Sequence, residues 1–124
     1  MQLKRGDILY CELDGIKSEL YGVRPVVVVS NQLANRYSPV IIGCPLTTSI
    51  RTKQKKLPTH VLLNEDDVEQ LSGIIETSVI LCEQIRGISK QRIISQPIAR
   101  LNEETLKIVE KSMLIAIGCH QYII

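Results

Sequence analysis

Apolar and polar positions along the 124 residues alternate in short strand-like runs, and only the last segment has helical period. Four runs predict strands because they are largely apolar and lie between turn or loop segments: 8–13, 26–29, 40–48 and 59–63. The unbroken apolar run at 26–29 is typical of a strand buried on both faces. One or two further strands are expected within 73–86, and a short one at 92–98.

The closing segment predicts an amphipathic helix. Leu106, Val109 and Met113, followed by Ala116 or Ile117, fall on one stripe. Asn102 is a good N-cap, and Gly118 is a good stop. Residues 64–67 predict a capped single turn, whereas 31–38 and 50–59 are expected to be polar connections. One helix of about four turns against a small, curved sheet is the most economical architecture.

Composition places the chain among ordinary globular domains. It is 44% hydrophobic and 23% charged, with a formal net charge of +2, and its length predicts one domain, residues 1–124. No apolar run approaches the ~18 residues of a membrane span, and the N-terminus lacks the apolar core of a signal peptide. The four cysteines have no metal-ligand spacing, so we expect buried thiols, no metal site and a reducing cytoplasm.

One arginine and one pair of hydroxyls stand where neighbouring strands should meet. Gly22-Val23-Arg24-Pro25 leads into the second strand, and Pro45-Leu46-Thr47-Thr48 ends the third. Adjacent strands would bring Arg24 and Thr47 to one end of the sheet, where a guanidinium and a hydroxyl could bind a phosphate. The other interpretation of Arg24 is a structural ion pair with an acid such as Glu19.

Positive charge is concentrated in the connection that follows Thr47. Its cations are Arg51, Lys53, Lys55 and Lys56. They could follow a nucleic-acid backbone, or they could form an ordinary solvated loop. Tyr21 and Tyr37 could offer rings for base stacking, although tyrosines in such positions are more often half-buried packing residues.

Several blocks, all in the same order, give the chain a family resemblance over roughly residues 4–95. The blocks are Lys4-Arg5-Gly6-Asp7, Ser18-Glu19, Gly22-Val23-Arg24-Pro25-Val26-Val27-Val28, Pro45-Leu46-Thr47-Thr48, Lys56-Leu57-Pro58-Thr59-His60-Val61 and Ser78-Val79-Ile80-Leu81-Cys82-Glu83-Gln84-Ile85-Arg86. Together they resemble the MazF/PemK family of toxin endoribonucleases, and the likeness is greatest to MazF toxins of low-GC Gram-positive bacteria.

The resemblance implies a small SH3-like β-barrel with a C-terminal α-helix, mainly β in class, that works as a homodimer. It implies sequence-specific cleavage of single-stranded RNA, without metal or cofactor, and growth arrest through the loss of mRNA. The attacking group would be the substrate's own 2′-OH, which leaves a 2′,3′-cyclic phosphate and a 5′-OH. A cognate antitoxin protein would inhibit the enzyme, and operator DNA would be bound only through the antitoxin complex.

The resemblance also assigns roles to residues. Arg24 and Thr47 are the expected catalytic pair. The resemblance does not identify the general base, for which Glu19 is a candidate as an acid in the loop beside the site. The residues expected to contact RNA are Ser18, Glu19, Thr48, Lys53, Lys55, Lys56, Ser78, Glu83 and Gln84. Leu20 stands where family members often carry glutamine, and this difference affects base preference more than the chemistry.

Two other functions remain open from the residues. One is a non-catalytic toxin of the same barrel architecture that poisons DNA gyrase, although the tail His120-Gln121-Tyr122-Ile123-Ile124 lacks the terminal tryptophan of those poisons. The other is a small barrel that binds nucleic acid as a regulator. Either would keep part of its activity without Arg24, whereas a ribonuclease would not.

Overall fold

The computed structural model describes residues 2–54, 57–73 and 76–123. Its strands are β1 Asp7–Leu13, β2 Gly22–Val28, β3 Val40–Thr47, β4 His60–Leu63, β5 Val68–Gln70, β6 Ser78–Leu81, β7 Arg86–Ser89 and β8 Ala99–Leu101. Its α-helices are α1 Gln32–Tyr37, α2 Ile50–Gln54 and α3 Glu103–Ala116. Single 3-10 turns cover Glu65–Asp67, Cys82–Gln84, Lys90–Arg92 and His120–Tyr122.

All described strands belong to one antiparallel sheet with the order β4-β6-β3-β2-β1-β8-β5, and β7 pairs with β3 outside this path. The sheet curls into a half-barrel with one main helix. The fold is therefore mainly β, as predicted.

The central strands are buried on both faces. Val27 and Cys44 belong to the larger apolar cluster, which α3 covers through Val109. Val26 and Ile41 point the other way, into a second cluster. This two-sided burial explains the unbroken apolar run in β2 and confirms its prediction.

Helix α3 begins and ends where the sequence predicts. The Asn102 side chain accepts from the Thr105 backbone N–H at 2.9 Å, and Gly118 adopts the left-handed φ of +78° just beyond the last turn. Leu106 and Met113 pack against the larger cluster. The capped turn after β4 is also confirmed, since the Asn64 N–H donates to the Asp67 carboxylate at 2.7 Å.

Strand β3 has different partners along one edge. Its first half pairs with β7, with Gly43 opposite Arg86, and its second half pairs with β6, with Leu46 opposite Ile80. Gly43 and Leu46 are three residues apart on β3, whereas the residues opposite them, Arg86 of β7 and Ile80 of β6, are six residues apart in the chain. The three extra residues form the 3-10 turn Cys82–Gln84, which makes a bulge in the sheet.

Two predicted connections contain short helices. Helix α1 has six residues and is capped by the Asn31 side chain, which accepts from Ala34 N–H at 2.9 Å. Helix α2 has five residues and follows Ser49, whose hydroxyl accepts from Thr52 N–H at 3.4 Å. Neither is long enough to show a helical period, so the prediction of loops there is wrong.

The last strand also differs from the prediction. Within 92–98 only Ile93 forms a bridge, to Cys11, and the strand proper is β8, which pairs with both β1 and β5. Pro97 lacks an N–H for a ladder, so regular pairing starts after it. Strand β5 was not predicted, because three residues with one apolar member carry no visible pattern.

Three of the four cysteines are buried, as expected, but Cys119 is partly exposed. None of the helices in the described ranges is long and apolar enough to cross a membrane.

Candidate active site

Antiparallel pairing of β2 with β3 brings Arg24 and Thr47 to the same end of the sheet. The register matches Val26 with Pro45. The ladder between these two strands ends at this pair, and Arg24 and Thr47 each lie two residues beyond it, at the same end of the sheet. Side chains two positions apart on a strand lie on the same face, so Arg24 and Thr47 share the face of Val26 and Pro45.

Arg24 is held by the backbone. Its Nε donates to the Tyr21 carbonyl at 2.9 Å, and no ion pair in the described part of the chain includes it. The Glu19 carboxylate instead accepts from Ile16 N–H at 3.1 Å. The structural Arg24–Glu19 ion pair is therefore not formed, and the terminal amino groups of Arg24 have no protein partner among the described residues.

The residue opposite Arg24 on its other neighbour, β1, is Cys11. This thiol is fully buried, and burial raises its pKa to about 11. It therefore remains neutral at physiological pH and places no negative charge beside the guanidinium.

Thr47 is the last residue of β3 and is only 7% exposed. Its Oγ1 accepts from the Ser49 N–H at 3.2 Å, and the hydroxyl proton remains available for donation. The site thus combines a fixed cation with a fixed neutral donor. Thr48, the next residue, is exposed.

The connection between β1 and β2, residues 14–21, carries Ser18 and Glu19. Lys17 adopts φ +52° there, and a Cβ on Gly15 would lie 2.9 Å from the Glu19 Cβ. The loop is therefore tightly folded on itself. Ser18 and Glu19 are both exposed at its tip, and Tyr21 at its end is 57% exposed, contrary to the half-buried packing role considered from the sequence.

The bulge after β6 places Glu83 and Gln84 in different surroundings. Glu83 accepts from the Thr59 hydroxyl at 2.5 Å, and one oxygen of its carboxylate lies 2.9 Å from His60 Nε2. Gln84 turns toward the loop: its Oε1 accepts from Leu20 N–H at 2.8 Å, and its Nε2 donates to the Ser18 carbonyl at 3.2 Å. An open recess of about 320 Å³ lies between Glu19, Glu83 and Arg86.

The other predicted RNA contacts are dispersed. Ser78 is 2% exposed and donates to the Glu76 carbonyl at 2.7 Å, so it faces the interior and does not belong to an RNA-facing surface. Lys53 lies in α2 and is half-buried. Lys55 and Lys56 lie outside the described residues.

Arg86 and His60 had no assigned role in the sequence analysis, although both lie within the resemblance blocks. Arg86 donates to the carbonyls of Asp14 and Leu20 at 2.9 and 3.2 Å. His60 has a buried Nδ1 without a hydrogen-bond partner among the described residues. Only their place in the blocks shared with the family could have pointed to Arg86 and His60, because local periodicity does not predict the contacts that these two side chains make.

The fold is a curled antiparallel sheet with one main helix, and one end of the sheet carries the guanidinium of Arg24 and the hydroxyl of Thr47. Residues 4–117 match the family of PemK-like, MazF-like toxins of type II toxin–antitoxin systems. The chain is 41% identical over 119 residues to "Endoribonuclease EndoA" of Bacillus subtilis (strain 168), a match covering 95% of this chain and 97% of that protein. The chain therefore belongs to the PemK-like, MazF-like toxin family, and its enzyme class is endoribonuclease.

Solved structures agree on the fold. MazF (Form-I) from Deinococcus radiodurans superposes with a TM-score of 0.75 at 18% identity, covering 95% of this chain and 98% of that one. An endoribonuclease in complex with its cognate antitoxin, from Mycobacterial species, gives a TM-score of 0.71 at 22% identity, covering 92% and 93%. The predicted family and fold class are thus both confirmed.

Proposed function

We propose that this chain, as a single domain of residues 1–124, cleaves single-stranded mRNA at specific sequences in the cytoplasm and thereby arrests growth. The observation that carries the proposal is the Arg24 guanidinium, which has no acidic partner among the described residues and lies at the same end and face of the sheet as the buried hydroxyl of Thr47. Both groups can donate to the non-bridging oxygens of one phosphate, where negative charge accumulates during displacement.

In the proposed reaction the nucleophile belongs to the substrate. The ribose 2′-oxygen forms a bond to the neighbouring phosphorus while the bond from phosphorus to the 5′-oxygen breaks. The 2′-OH proton goes to a base, and the leaving 5′-oxygen gains a proton, so the products are a 2′,3′-cyclic phosphate and a 5′-OH. Arg24 and Thr47 supply charge stabilisation and positioning, which is why the mechanism needs neither a metal nor another cofactor.

Glu19 is the candidate base of this scheme. Its Oε2 accepts from Ile16 N–H, which orients the carboxylate, while Oε1 has no protein partner among the described residues. The residue is exposed on the loop that leads to Arg24. A carboxylate so placed could accept a proton from a ribose hydroxyl bound in front of Arg24.

The proposed RNA surface extends from the catalytic pair over Ser18, Thr48 and Lys53, with Lys55 and Lys56 following along the chain. Lysines there would neutralise backbone phosphates and would add affinity that falls with salt. Glu83 and Gln84 remain in the proposal as neighbours of this surface, because Glu83 contacts Thr59 and His60 and Gln84 bonds to the loop at Ser18. Ser78 is omitted because it is buried.

We further propose a homodimer that a cognate antitoxin protein inhibits, with operator DNA bound only through that complex. In support, Met113, Leu114 and Ile117 of the α3 region border an open apolar recess of about 460 Å³ together with Ile42 and Ile85. Ile117 is 60% exposed, and apolar surface of this kind is typical of protein interfaces. The Mycobacterial relative was solved with its antitoxin.

Cleavage of a long single-stranded RNA by purified protein in EDTA tests the catalytic proposal. We expect fragments with 2′,3′-cyclic phosphate ends from the wild type, and a loss of at least about 10²-fold in rate for Arg24→Ala. Arg36→Ala is the matched control, because Arg36 is an exposed arginine above the Tyr37 ring in α1. It removes the same charge at a distance from Thr47.

A deoxyribose at the mapped cut site should block cleavage and leave binding intact. Equal cleavage by folded Arg24→Ala and Arg36→Ala would contradict the proposal. RNA left intact by a folded wild-type dimer would favour the non-catalytic alternatives, a gyrase poison or a regulator.

A further inference from the structure

Arg86 lies at the start of β7, directly after the bulge Cys82–Gln84, and it bonds to both ends of loop 14–21. NH1 donates to the Asp14 carbonyl at 2.9 Å, and NH2 donates to the Leu20 carbonyl at 3.2 Å. NH2 also donates to Gln84 Oε1 at 3.2 Å, and Nε to the Gln84 carbonyl at 3.4 Å. All four contacts are made to uncharged oxygens, and the described residues include no acid paired with Arg86.

These contacts converge on the backbone of Leu20. Its carbonyl accepts from Arg86, while its N–H donates to the same Gln84 Oε1 that Arg86 holds. The peptide groups on either side of Leu20 are therefore fixed by one pair of side chains. The other hydrogen bonds inside the loop are local, between Ile16 and Glu19.

Tyr21 follows Leu20, and its carbonyl is the acceptor for Arg24 Nε at 2.9 Å. The orientation of the Arg24 guanidinium thus depends on a carbonyl one residue beyond the segment that Arg86 holds. We propose that Arg86 is a positioning residue: it fixes loop 14–21 and, through Leu20 and Tyr21, aims Arg24 at the scissile phosphate. This inference rests on the proposed function, in which Arg24 stabilises the transition state.

The guanidinium fork explains why arginine is needed at position 86. One planar group reaches Asp14 on one side and both Leu20 and Gln84 on the other. A lysine keeps the charge but has a single ammonium group, which cannot hold the two ends of the loop in one fixed plane. The Arg86→Lys variant therefore keeps the electrostatic attraction of RNA and removes only the positioning of the loop.

Arg92 provides a matched control. It also contacts the loop region, with NH2 at 2.5 Å from the Asp14 carboxylate and NH1 at 3.4 Å from the Glu12 carbonyl. Its contacts stop at the first residue of the loop and do not reach residues 18–21. Arg92→Ala removes one positive charge from a neighbouring recess that Arg92 lines together with Arg86, without disturbing the Leu20 backbone.

The test is single-turnover cleavage, with excess enzyme, of a short RNA carrying one site mapped for the wild-type protein. We expect Arg86→Lys and Arg86→Ala to lower the rate at saturating enzyme by about 10–10²-fold, because a small misplacement of a catalytic group costs that much. The enzyme concentration for half-maximal rate should change by less than about threefold, and Arg92→Ala should stay within about twofold of the wild type in rate.

A double-mutant cycle shows whether Arg86 acts through Arg24. In the Arg24→Ala background, Arg86→Ala should reduce the residual rate by less than about threefold, since the group that Arg86 positions is already absent. NMR gives a readout independent of activity: the Arg24 Nε–H signal and the protection of the Leu20 amide should be lost in Arg86→Lys and kept in Arg92→Ala. Thermal unfolding of each variant confirms that the protein is folded.

An Arg86→Lys variant that keeps the wild-type rate would overturn the inference, and so would equal effects of Arg86→Ala with and without Arg24. Both results leave the proposed function intact, provided that the rate of Arg24→Ala is at least about 10²-fold below that of the wild type. An Arg24→Ala variant with the wild-type rate would instead refute the proposed function itself.

Discussion

Thr47 shows how a single residue can have a structural and a chemical task at once. Its oxygen accepts from Ser49 N–H, which orders the chain where β3 ends, and its proton points to no protein acceptor among the described residues. Arg24 has the same double character, since one nitrogen donates to the Tyr21 carbonyl and the other two have no protein partner among the described residues. At the residue scale, the site depends on side chains that are fixed by one contact and free at another.

Replacing Thr47 separates these tasks. Thr47→Val keeps the shape of the side chain but removes the hydroxyl, so we expect cleavage to fall by about 10²-fold and the free energy of unfolding by about 1 kcal/mol, because Ser49 N–H loses its acceptor. Thr47→Ser retains the hydroxyl and should stay within about tenfold of wild-type activity. Initial rates on one RNA, together with urea unfolding, measure both effects. Full activity in Thr47→Val would exclude a donor role for this residue.

Helix α3 is the element whose ends the sequence predicts most clearly. Asn102 caps it through Thr105 N–H and also donates to the Asp66 carbonyl at 3.3 Å, so the cap connects the helix to the turn after β4. On the helix itself, Glu110 forms an ion pair with Arg5 at 2.6 Å. The element is stabilised at its start by the cap and along its length by apolar contacts with the sheet.

Removing the cap should destabilise the protein measurably. We expect Asn102→Ala to lower the free energy of unfolding by about 1 kcal/mol, because Thr105 N–H loses its acceptor. Asn102→Asp keeps that acceptor and should cost less. Urea unfolding followed by circular dichroism compares the two variants; equal losses would show that the Asp66 contact, which both variants lose, determines the effect.

At the scale of the whole molecule, β3 organises the half-barrel because it pairs with β2, β6 and β7. Gly43 lies where β2 and β7 both pair with it, and a Cβ there would come within 2.4 Å of Val26 Cγ1. Valine cannot move away easily, since its χ1 is restricted. The spacing of β2 and β3, and with it the spacing of Arg24 and Thr47, depends on the absence of a side chain at Gly43.

Alanine at two glycines tests this dependence. Gly43→Ala should destabilise the protein by about 1–3 kcal/mol, because the added methyl group overpacks the core between β2 and β3. Gly87→Ala is the control, since its Cβ would lie 3.3 Å from Val40 Cγ1 and Gly87 is exposed. Thermal unfolding measures both, and a Gly43→Ala protein as stable as Gly87→Ala would show that the strands can separate without cost.

The prediction from sequence was accurate where a segment is long enough to show its own hydrophobic period or capping residues. The positions of β1 to β4 and of α3 follow from period and capping, and the blocks around Arg24 and Thr47 identify the family. It was wrong for α1 and α2, which are too short to show a period, and for the strand expected at 92–98. It also assigned RNA contact to Ser78, which the sheet buries.

The sequence by itself determined the strand-rich class, the closing helix and the residue types available for phosphate chemistry, because these are encoded in local period, caps and composition. Only the tertiary structure decided which residues meet. The pairing of β2 with β3 brings Arg24 and Thr47 to one end of the sheet, and the bulge at Cys82–Gln84 places Gln84 and Arg86 against loop 14–21. Such pairings depend on residues tens of positions apart, whose contact is stable only once the whole sheet has formed.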